Sequence, residues 1–514
     1  MNMPQCNTST SLGMLTWTFL ALTQTSSAST SESIPVDISK TMIWGPGLNP
    51  RLVLPVRYFF IQLVDQNGSN ITNSIGEKPF VLTVSESNGN RVQSWSQILD
   101  AFDGTYIGRF RLFKTYQDLQ VNIKYNGRHV ADSPYQLKGP VYHEDCYCPV
   151  MNVDKWLEIM GCKSSYTQIE KDFIPFPKID MDKLAKQAIS RFNQAGMHSL
   201  CRYRIINNKV YRKTYGQHVG FKMFSDATLL SITRKVQLPD MEFFINLGDW
   251  PLEKRSVTDS PIPIISWCGS IDTRDIILPT YDITEATIEM MSRVTLDIIS
   301  VQGNSGVTWD NKIDQAFWRG RDSRQERLNL AEFSLRKPEI LNASLTHMFF
   351  FPKDEKKHGP LVKTVPFFKF FDYKYQINID GTVAAYRLPY LLAGGSMVLK
   401  HESNYYEHFY RDLEPWKHYV PFKLDLSDLE QRIKWAKKND EEAKKISINA
   451  RQFVRENIMP RDIFCYHVQV FREYAKRQTG EPQEPDSSWD TLDQPATGCD
   501  CKRMKSIKKS KEEL

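Results

Sequence analysis

Two arginines, Arg319 and Arg387, sit where their neighbours predict an anion site. Residues 373–401 read YKYQINIDGTVAAYRLPYLLAGGSMVLKH. Tyr375–Ile379 alternate and are β-prone, and Asp380-Gly381 signals a turn. An apolar run from Thr382 ends at Gly394-Gly395, and Ser396–Leu399 suits a buried strand. The pattern is one strand–turn–helix–strand unit of a parallel α/β sheet, whose ligands collect at strand carboxyl ends. Turn N–H groups and the helix end there favour phosphate, and Arg387 lies close enough to add a charge-assisted bond. Pro389 either kinks the helix or moves its start. A half-domain of this kind with a surface arginine carries the same signature, so the stretch alone does not fix a chemistry.

Phe317-Trp-Arg-Gly-Arg-Asp-Ser-Arg324 packs three arginines where a strand passes into a helix. Gly320 lets backbone approach a ligand, and Arg319 and Arg321 can neutralise phosphate. The plain alternative is a solvent-exposed helix start, but arginines there oppose the macrodipole unless an anion is bound. Asp240 follows Leu238-Pro at the mouth of the apolar strand Met241–Leu247, which Gly248-Asp249 ends. It is either a turn former or a general base. No nucleotide loop of the G-x-x-x-x-G-K-[ST] or G-x-G-x-x-G type occurs, and no H-E-x-x-H. His401-Glu402 and Glu407-His408 resemble half of such a zinc motif, but Tyr405 stands where the second His belongs. Asp180-Met-Asp182 reads as a cap for the amphipathic helix 182–195 rather than a Mn²⁺ site. Cys499 and Cys501 are too close to form a zinc site alone. No metal and no cofactor are expected.

The elements that must hold these residues follow from the rest of the chain. At 514 residues it has room for about three domains. Net charge is +6, but residues 502–514 carry six Lys/Arg and two Glu. The remainder is near neutral, which argues against a nucleic-acid binder. An apolar core, Leu12–Leu22, followed by small residues reads as a signal peptide over 1–28. Asn67, Asn70 and Asn342 head glycosylation sequons, and eight cysteines remain once Cys6 is removed. The chain ends Lys-Glu-Glu-Leu, a variant of the KDEL retrieval address. Together these predict the endoplasmic reticulum lumen, engagement of a KDEL-type retrieval receptor, and a protein that does not span the membrane. Residues 36–139 alternate in short β-prone runs and predict a β-sandwich. A Cys- and Pro-rich linker, 140–178, leads into helix–strand alternation to about residue 400. Leu424–Glu456 reads as one long amphipathic helical region, and 476–514 as a disordered basic tail.

Two resemblances sharpen this reading. Ser39-Lys-Thr-Met-Ile-Trp-Gly-Pro-Gly47, Asp103-Gly-Thr-Tyr106 and Tyr125–Tyr135 are similar to filamin-type immunoglobulin-like repeats. Leu238–Asn246, Phe317–Gly320, Tyr375–Lys400, Pro415–Pro421 and Asp425–Asp428 resemble the CAP10-like family, glycosyltransferase family 90. That resemblance implies a multidomain chain: a filamin-type sandwich, then an α/β GT-B fold with two Rossmann-like lobes, 145–300 on the acceptor side and 301–475 on the UDP-sugar side. It implies transfer of glucose, sometimes xylose, with inversion and no essential metal, from UDP-glucose or UDP-xylose to Ser of folded EGF-like repeats such as those of Notch. Asp240 matches the family base. Arg319 with Gly320, Thr382, Val383, Ala384, Ala385, Tyr386 and Arg387 match the donor site. Acceptor contacts fall at Thr280-Tyr281 and near Gln217–Phe221. By the same analogy the disulfides are Cys146–Cys465, Cys148–Cys162 and Cys201–Cys268. Arg321-Asp322 replaces the family's Ser-Arg order, and no Cys pair closes the loop around 209–222. The competing readings are a non-catalytic lumenal lectin or chaperone and a transferase acting on glycans.

Overall fold

The strand Arg57–Gln62 is buried along its whole length, which a free-standing sandwich would not require of it. The reason lies in what covers its two faces. The computed structural model describes residues 35–77, 79–194, 200–217, 219–288, 296–499 and 501. The signal-peptide segment 1–28 and the basic end 502–514 lie outside them, as do Ala195, Gly196 and His218. Strands β1 (Met42–Trp44), β2 (Arg57–Gln62), β3 (Phe80–Glu86), β4 (Ser94–Asp100), β5 (Thr105–Leu112), β6 (Tyr116–Tyr125), β7 (Arg128–His129) and β8 (Tyr135–Val141) form the predicted sandwich. One sheet is ordered β1-β2-β5-β4; the other is β3-β6-β7, with β8 also on β6. Successive side chains point to opposite faces. Phe59 and Ile61 therefore enter the sandwich core, while Tyr58 and Phe60 enter the core of the α/β region. From Val36 onward the residues cluster as one compact unit.

Helices α1 (Val153–Met160), α2 (Thr167–Phe173), strand β9 (Ile179–Asp180) and α3 (Met181–Phe192) follow the linker. Asp180 caps α3, its side chain accepting the Lys183 N–H. Then come β10 (Leu200–Ile206), β11 (Lys209–Tyr215), α4 (Lys222–Lys235), β12 (Met241–Asn246), β13 (Ile264–Ser266), β14 (Gly269–Ser270), β15 (Ile276–Ile277), α5 (Tyr281–Ile288) and α6 (Ile298–Gly303). Their six-stranded sheet runs β15-β13-β12-β10-β11-β23, where β23 is Asp490–Leu492. Only β12, β13 and β15 run parallel; β10 and β11 are antiparallel. This sheet thus departs from an all-parallel Rossmann lobe.

The second sheet is parallel throughout. It is built from β16 (Ile313–Arg321), α7 (Gln325–Arg336), β17 (Leu341–His347), α8 (Glu355–His358), β18 (Tyr373–Asn378), α9 (Leu388–Ala393), β19 (Met397–His401) and β21 (Val420–Phe422), in the order β17-β16-β18-β19-β21, while β20 (Tyr405–Tyr406) pairs antiparallel with β14. Pro389 moves the start of the helix: α9 begins at Leu388, with Arg387 at its N-cap. Likewise α7 begins only at Gln325, so Arg319 and Arg321 belong to the end of β16. The long region 424–456 is two helices, α10 (Leu429–Lys438) and α11 (Asp440–Asn457), broken at Asn439. Helix α12 (Pro460–Arg477) returns to pack on α1 and α2, so the end of the chain closes over the helices that open the α/β region. No helix among the described residues is long and apolar enough to cross a membrane.

Two expectations are corrected. The stretch after 476 is ordered through residue 499: β22 (Gln478–Thr479) pairs with β9, β23 extends the first sheet, and Trp489 stacks under Arg202 and Arg204. Polar composition there is overridden by two short strand pairings and by covalent ties. The disulfides are Cys146–Cys499, Cys148–Cys501 and Cys162–Cys465, while Cys201 and Cys268 are buried free thiols. Cys162 follows α1, which packs on the helix that bears Cys465. Cys201 lies on β10 and Cys268 beyond β13, two strand spacings or about 10 Å across the sheet and three residues further along it, past the ~7 Å reach of a disulfide.

Candidate functional site

A cleft of about 560 Å³ opens where the carboxyl ends of β12, β16 and β17 and the turn after β18 converge. This is where a parallel α/β sheet collects ligands. The turn residues Thr382, Val383, Ala384, Ala385 and Tyr386 line it, together with Arg387 and Gly320. The Gly381 N–H donates to the Val383 carbonyl at 2.9 Å and closes the turn. Gly320 has a packing reason as well: a Cβ there would meet Trp318 at 2.5 Å.

Four guanidinium groups line the same cleft: Arg319, Arg321, Arg327 and Arg387. Arg387 donates from Nη1 to the Arg319 carbonyl at 2.7 Å. Burial pushes its pKa down to about 10, with Arg321 adding to the effect and Asp282 opposing it. Arg319 also lines the wall, but its guanidinium is docked: Nη1 donates to the Trp318 and Asn342 carbonyls at 2.8 Å, Nη2 donates to Asn342 Oδ1 at 2.7 Å, and the group stacks on Phe317. Its contribution is therefore to hold the carbonyl that orients Arg387. Arg321 is exposed and stacks on Phe349.

Arg327 was not singled out from sequence. It lies one turn into α7, buried, and donates to the carbonyls of Asp380 (2.6 Å), Ile379 (3.2 Å) and Arg321 (3.1 Å). It ties the end of β16 to the turn after β18. Burial, then the neighbouring Arg387, push its pKa down to about 9. Gly381 makes room: a Cβ there would sit 3.1 Å from Arg327 Nη2. Crowded cations with depressed pKa values favour an anionic occupant.

The carboxylates facing this charge are Asp249 and Asp282. Asp249 lies in the turn after β12, half-buried. Asn246, at the strand end, fixes that turn: its Oδ1 accepts the Gly248 N–H at 2.9 Å and its Nδ2 donates to the Trp250 carbonyl at 2.7 Å. The field of Asp249 helps to raise the phenol pKa of Tyr281 and Tyr386, after burial. Burial pushes Asp282 up to about 6, against the pull of Arg387.

Asp240 is not in the cleft. It is exposed at the amino end of β12, where it accepts the Asn207 N–H at 2.8 Å. Asn207 and Asn208 form the left-handed hairpin turn between β10 and β11, and Asp240 braces it. A six-residue strand, about 20 Å long, separates its end from that of Asp249. The assignment of Asp240 as base is therefore corrected. The sequence signal that places Asp249 in the cleft is its position after the strand's carboxyl end.

Among the acceptor candidates, Tyr281 lines the cleft and packs on Tyr386, Phe224 and Phe221, the last from the predicted loop. Thr280 is fully buried, with its carbonyl accepting the Thr284 N–H at 3.0 Å, so its backbone serves α5 instead. His401 Nε2 accepts the Asp380 N–H at 2.8 Å. His143 lies within ligand distance of Cys146 and Cys499, but those sulfurs are bonded to each other. Of the sequons, Asn67 and Asn70 are exposed, whereas Asn342 lies in β17, its Nδ2 donating to Tyr373 at 3.0 Å.

Residues 158–513 match the family described as glycosyl transferase family 90, and residues 35–136 the filamin/ABP280 repeat. Protein O-glucosyltransferase 2 of Danio rerio is 52% identical over 470 residues, 91% of this chain and 93% of its own length. Protein O-glucosyltransferase 3 of Homo sapiens is 48% identical over 496 residues, 95% of this chain and 96% of its own. Protein O-glucosyltransferase 1 of Bos taurus is 28% identical over 325 residues, 62% of this chain and 81% of its own.

Proposed function

The chain belongs to glycosyl transferase family 90 and is a glycosyltransferase, and from that premise we propose that it moves glucose, with xylose as an alternative sugar, from a UDP-sugar to a serine hydroxyl of a folded EGF-like repeat, as on Notch. One observation carries the proposal: the Asp249 carboxylate and four arginines share one cleft at strand carboxyl ends. Asp249 takes the serine proton while the oxygen attacks the anomeric carbon. The bond from that carbon to the diphosphate breaks, and its electron pair leaves with UDP. Displacement from the opposite face turns an α-linked donor into a β-linked product.

Arg387 and Arg321 neutralise the diphosphate as its charge grows. Arg327 holds the donor turn, and Arg319 orients Arg387 through its carbonyl. We place this neutralising charge on arginines rather than on a divalent cation. The two sheets with the cleft between them suit a GT-B arrangement, the parallel sheet binding the donor. The aromatic rim of Tyr281, Phe224 and Phe221 lies on the acceptor side. We place the reaction in the endoplasmic reticulum lumen, for which the three disulfides are the structural support.

Incubation of the purified protein with labelled UDP-glucose or UDP-xylose and a folded EGF-like repeat, with and without EDTA, tests the reading. Label transferred to serine in both conditions supports it. No label transferred from either donor favours the lectin or chaperone reading, and label on polysaccharide alone favours transfer to glycans.

A further inference from the structure

Arg109 belongs to the sandwich, yet its guanidinium is buried against the catalytic region. Nη1 reaches both Asp297 oxygens at 3.2 and 3.3 Å, and Nη2 donates to Ser300 Oγ at 3.0 Å. Gln97 accepts from the other edge of the same group. Asp297 is the N-cap of α6: its Oδ1 accepts the Ile299 and Ser300 N–H groups at 2.9 and 2.8 Å. The residue just before it, Leu296, lines the cleft. At the other end of α6, a Cβ on Gly303 would meet the Leu99 side chain of β4 at 2.5 Å, so this helix lies directly on the sandwich.

A second set of contacts reaches α11. Arg451 donates to the Ala101 carbonyl at 2.7 Å and pairs with Asp103 at 2.9 Å. Arg455 donates to Thr105 Oγ1 at 3.0 Å and to Gln302 Oε1 on α6 at 2.8 Å, joining the two helices. Between α6 and α11 lies α9, packed against both. It begins directly after Arg387 and carries Tyr390, which lines the cleft. The Arg451 guanidinium fills the space beside Gly395, just beyond α9.

We propose that the sandwich is a brace for the donor site, with Arg109 a positioning residue that acts through Asp297 and α6 on α9 and Arg387. The sandwich is then part of the catalytic unit rather than a separable adaptor. The proposal rests on reading the cleft as the UDP-sugar site.

The test uses the full chain and three measurements: UDP affinity by calorimetry, donor KM against kcat, and hydrogen exchange of the α9 amides. Arg109→Ala is expected to weaken UDP binding and raise donor KM about tenfold, to speed α9 exchange, and to leave acceptor KM unchanged. Arg109→Lys, which keeps the charge, restores most of the affinity. Val121→Ala, in the sandwich core away from α6, lowers the melting temperature without changing UDP affinity. Unchanged UDP affinity and α9 exchange in Arg109→Ala overturn the brace, as does an equal loss in Val121→Ala. If Arg109→Ala does not fold, Ser300→Ala, which removes one acceptor of Arg109 and one donor to Asp297 but keeps the Arg109–Asp297 pair, decides by the same readouts. A wild-type protein that fails to bind UDP sinks the donor-site reading and the brace with it; binding by wild type with an unaltered variant sinks the brace alone.

Discussion

Replacing Asp249 by asparagine is expected to stop transfer while leaving donor binding intact. The turn that carries it is held by Asn246 through the Gly248 N–H and the Trp250 carbonyl, neither of which involves the Asp249 carboxylate. Asparagine has the same shape, so the backbone has no reason to move. What is lost is the proton acceptor, and a positioned base contributes about 10²–10⁴-fold, or about 3–5 kcal/mol on the barrier at 1.36 kcal/mol per decade. The field on the arginines also changes slightly, in the direction of tighter UDP binding. Asp240→Asn is the internal control. It weakens one hydrogen bond at an exposed hairpin turn, costs about 1 kcal/mol of stability, and leaves the rate within about twofold. The assay is initial-rate transfer to a folded EGF-like repeat, followed by mass, with UDP affinity measured by calorimetry. Near-normal turnover of the Asp249 variant, or collapse of turnover in the Asp240 variant with its fold intact, would refute the assignment of the base.

Arg387→Ala should weaken UDP binding by about tenfold or more, since charge-assisted bonds contribute about 1.5–3 kcal/mol; unchanged affinity removes Arg387 from the donor site. Glycopeptide mapping should find glycan at Asn67 or Asn70 but not at Asn342, because a sugar on Asn342 Nδ2 would displace the bond to Tyr373 and, with it, the dock of Arg319; full occupancy at Asn342 in active protein refutes this. Asp172 is buried, accepting from the Ile277 N–H and from Gln168, and burial pushes its pKa up to about 8. A carboxyl raised above its unfolded value stabilises fully below the unfolded pKa and loses that contribution as pH rises through the folded one. The melting temperature should therefore decline from about pH 4 to pH 8 through this group, and Asp172→Asn should flatten the slope; an unchanged slope refutes the burial argument.

Local patterns made much of this legible. The apolar positions Leu429, Ile433, Ala436, Ala443, Ile446, Ala450, Phe453 and Val454 are all buried, because a repeat near 3.6 residues states a helix face without reference to any partner. The short break at Asn439 was not legible, since the repeat continues in register across it. The turn after β18 was visible because strand, Gly-bearing turn and Pro-shifted helix are contiguous in the chain. Arg327 escaped notice because its partners, the carbonyls of Asp380 and Ile379, lie more than fifty residues away and carry no side-chain signature.

The sequence by itself determined most of the elements, the two-part architecture, the family likeness and the arginines around the turn after β18, all of which rest on residues adjacent in the chain. Which carboxylate enters the cleft was decided only in three dimensions. Asp240 and Asp249 bracket the same apolar strand and look alike locally; the parallel pairing of β12 with β13 and the cleft at their carboxyl ends select Asp249. The same holds for the disulfides and for the docked sandwich. Which sulfurs meet, and which strand has both faces covered, depend on how sheets and returning helices stack, and side-chain pattern along one chain does not encode that distance.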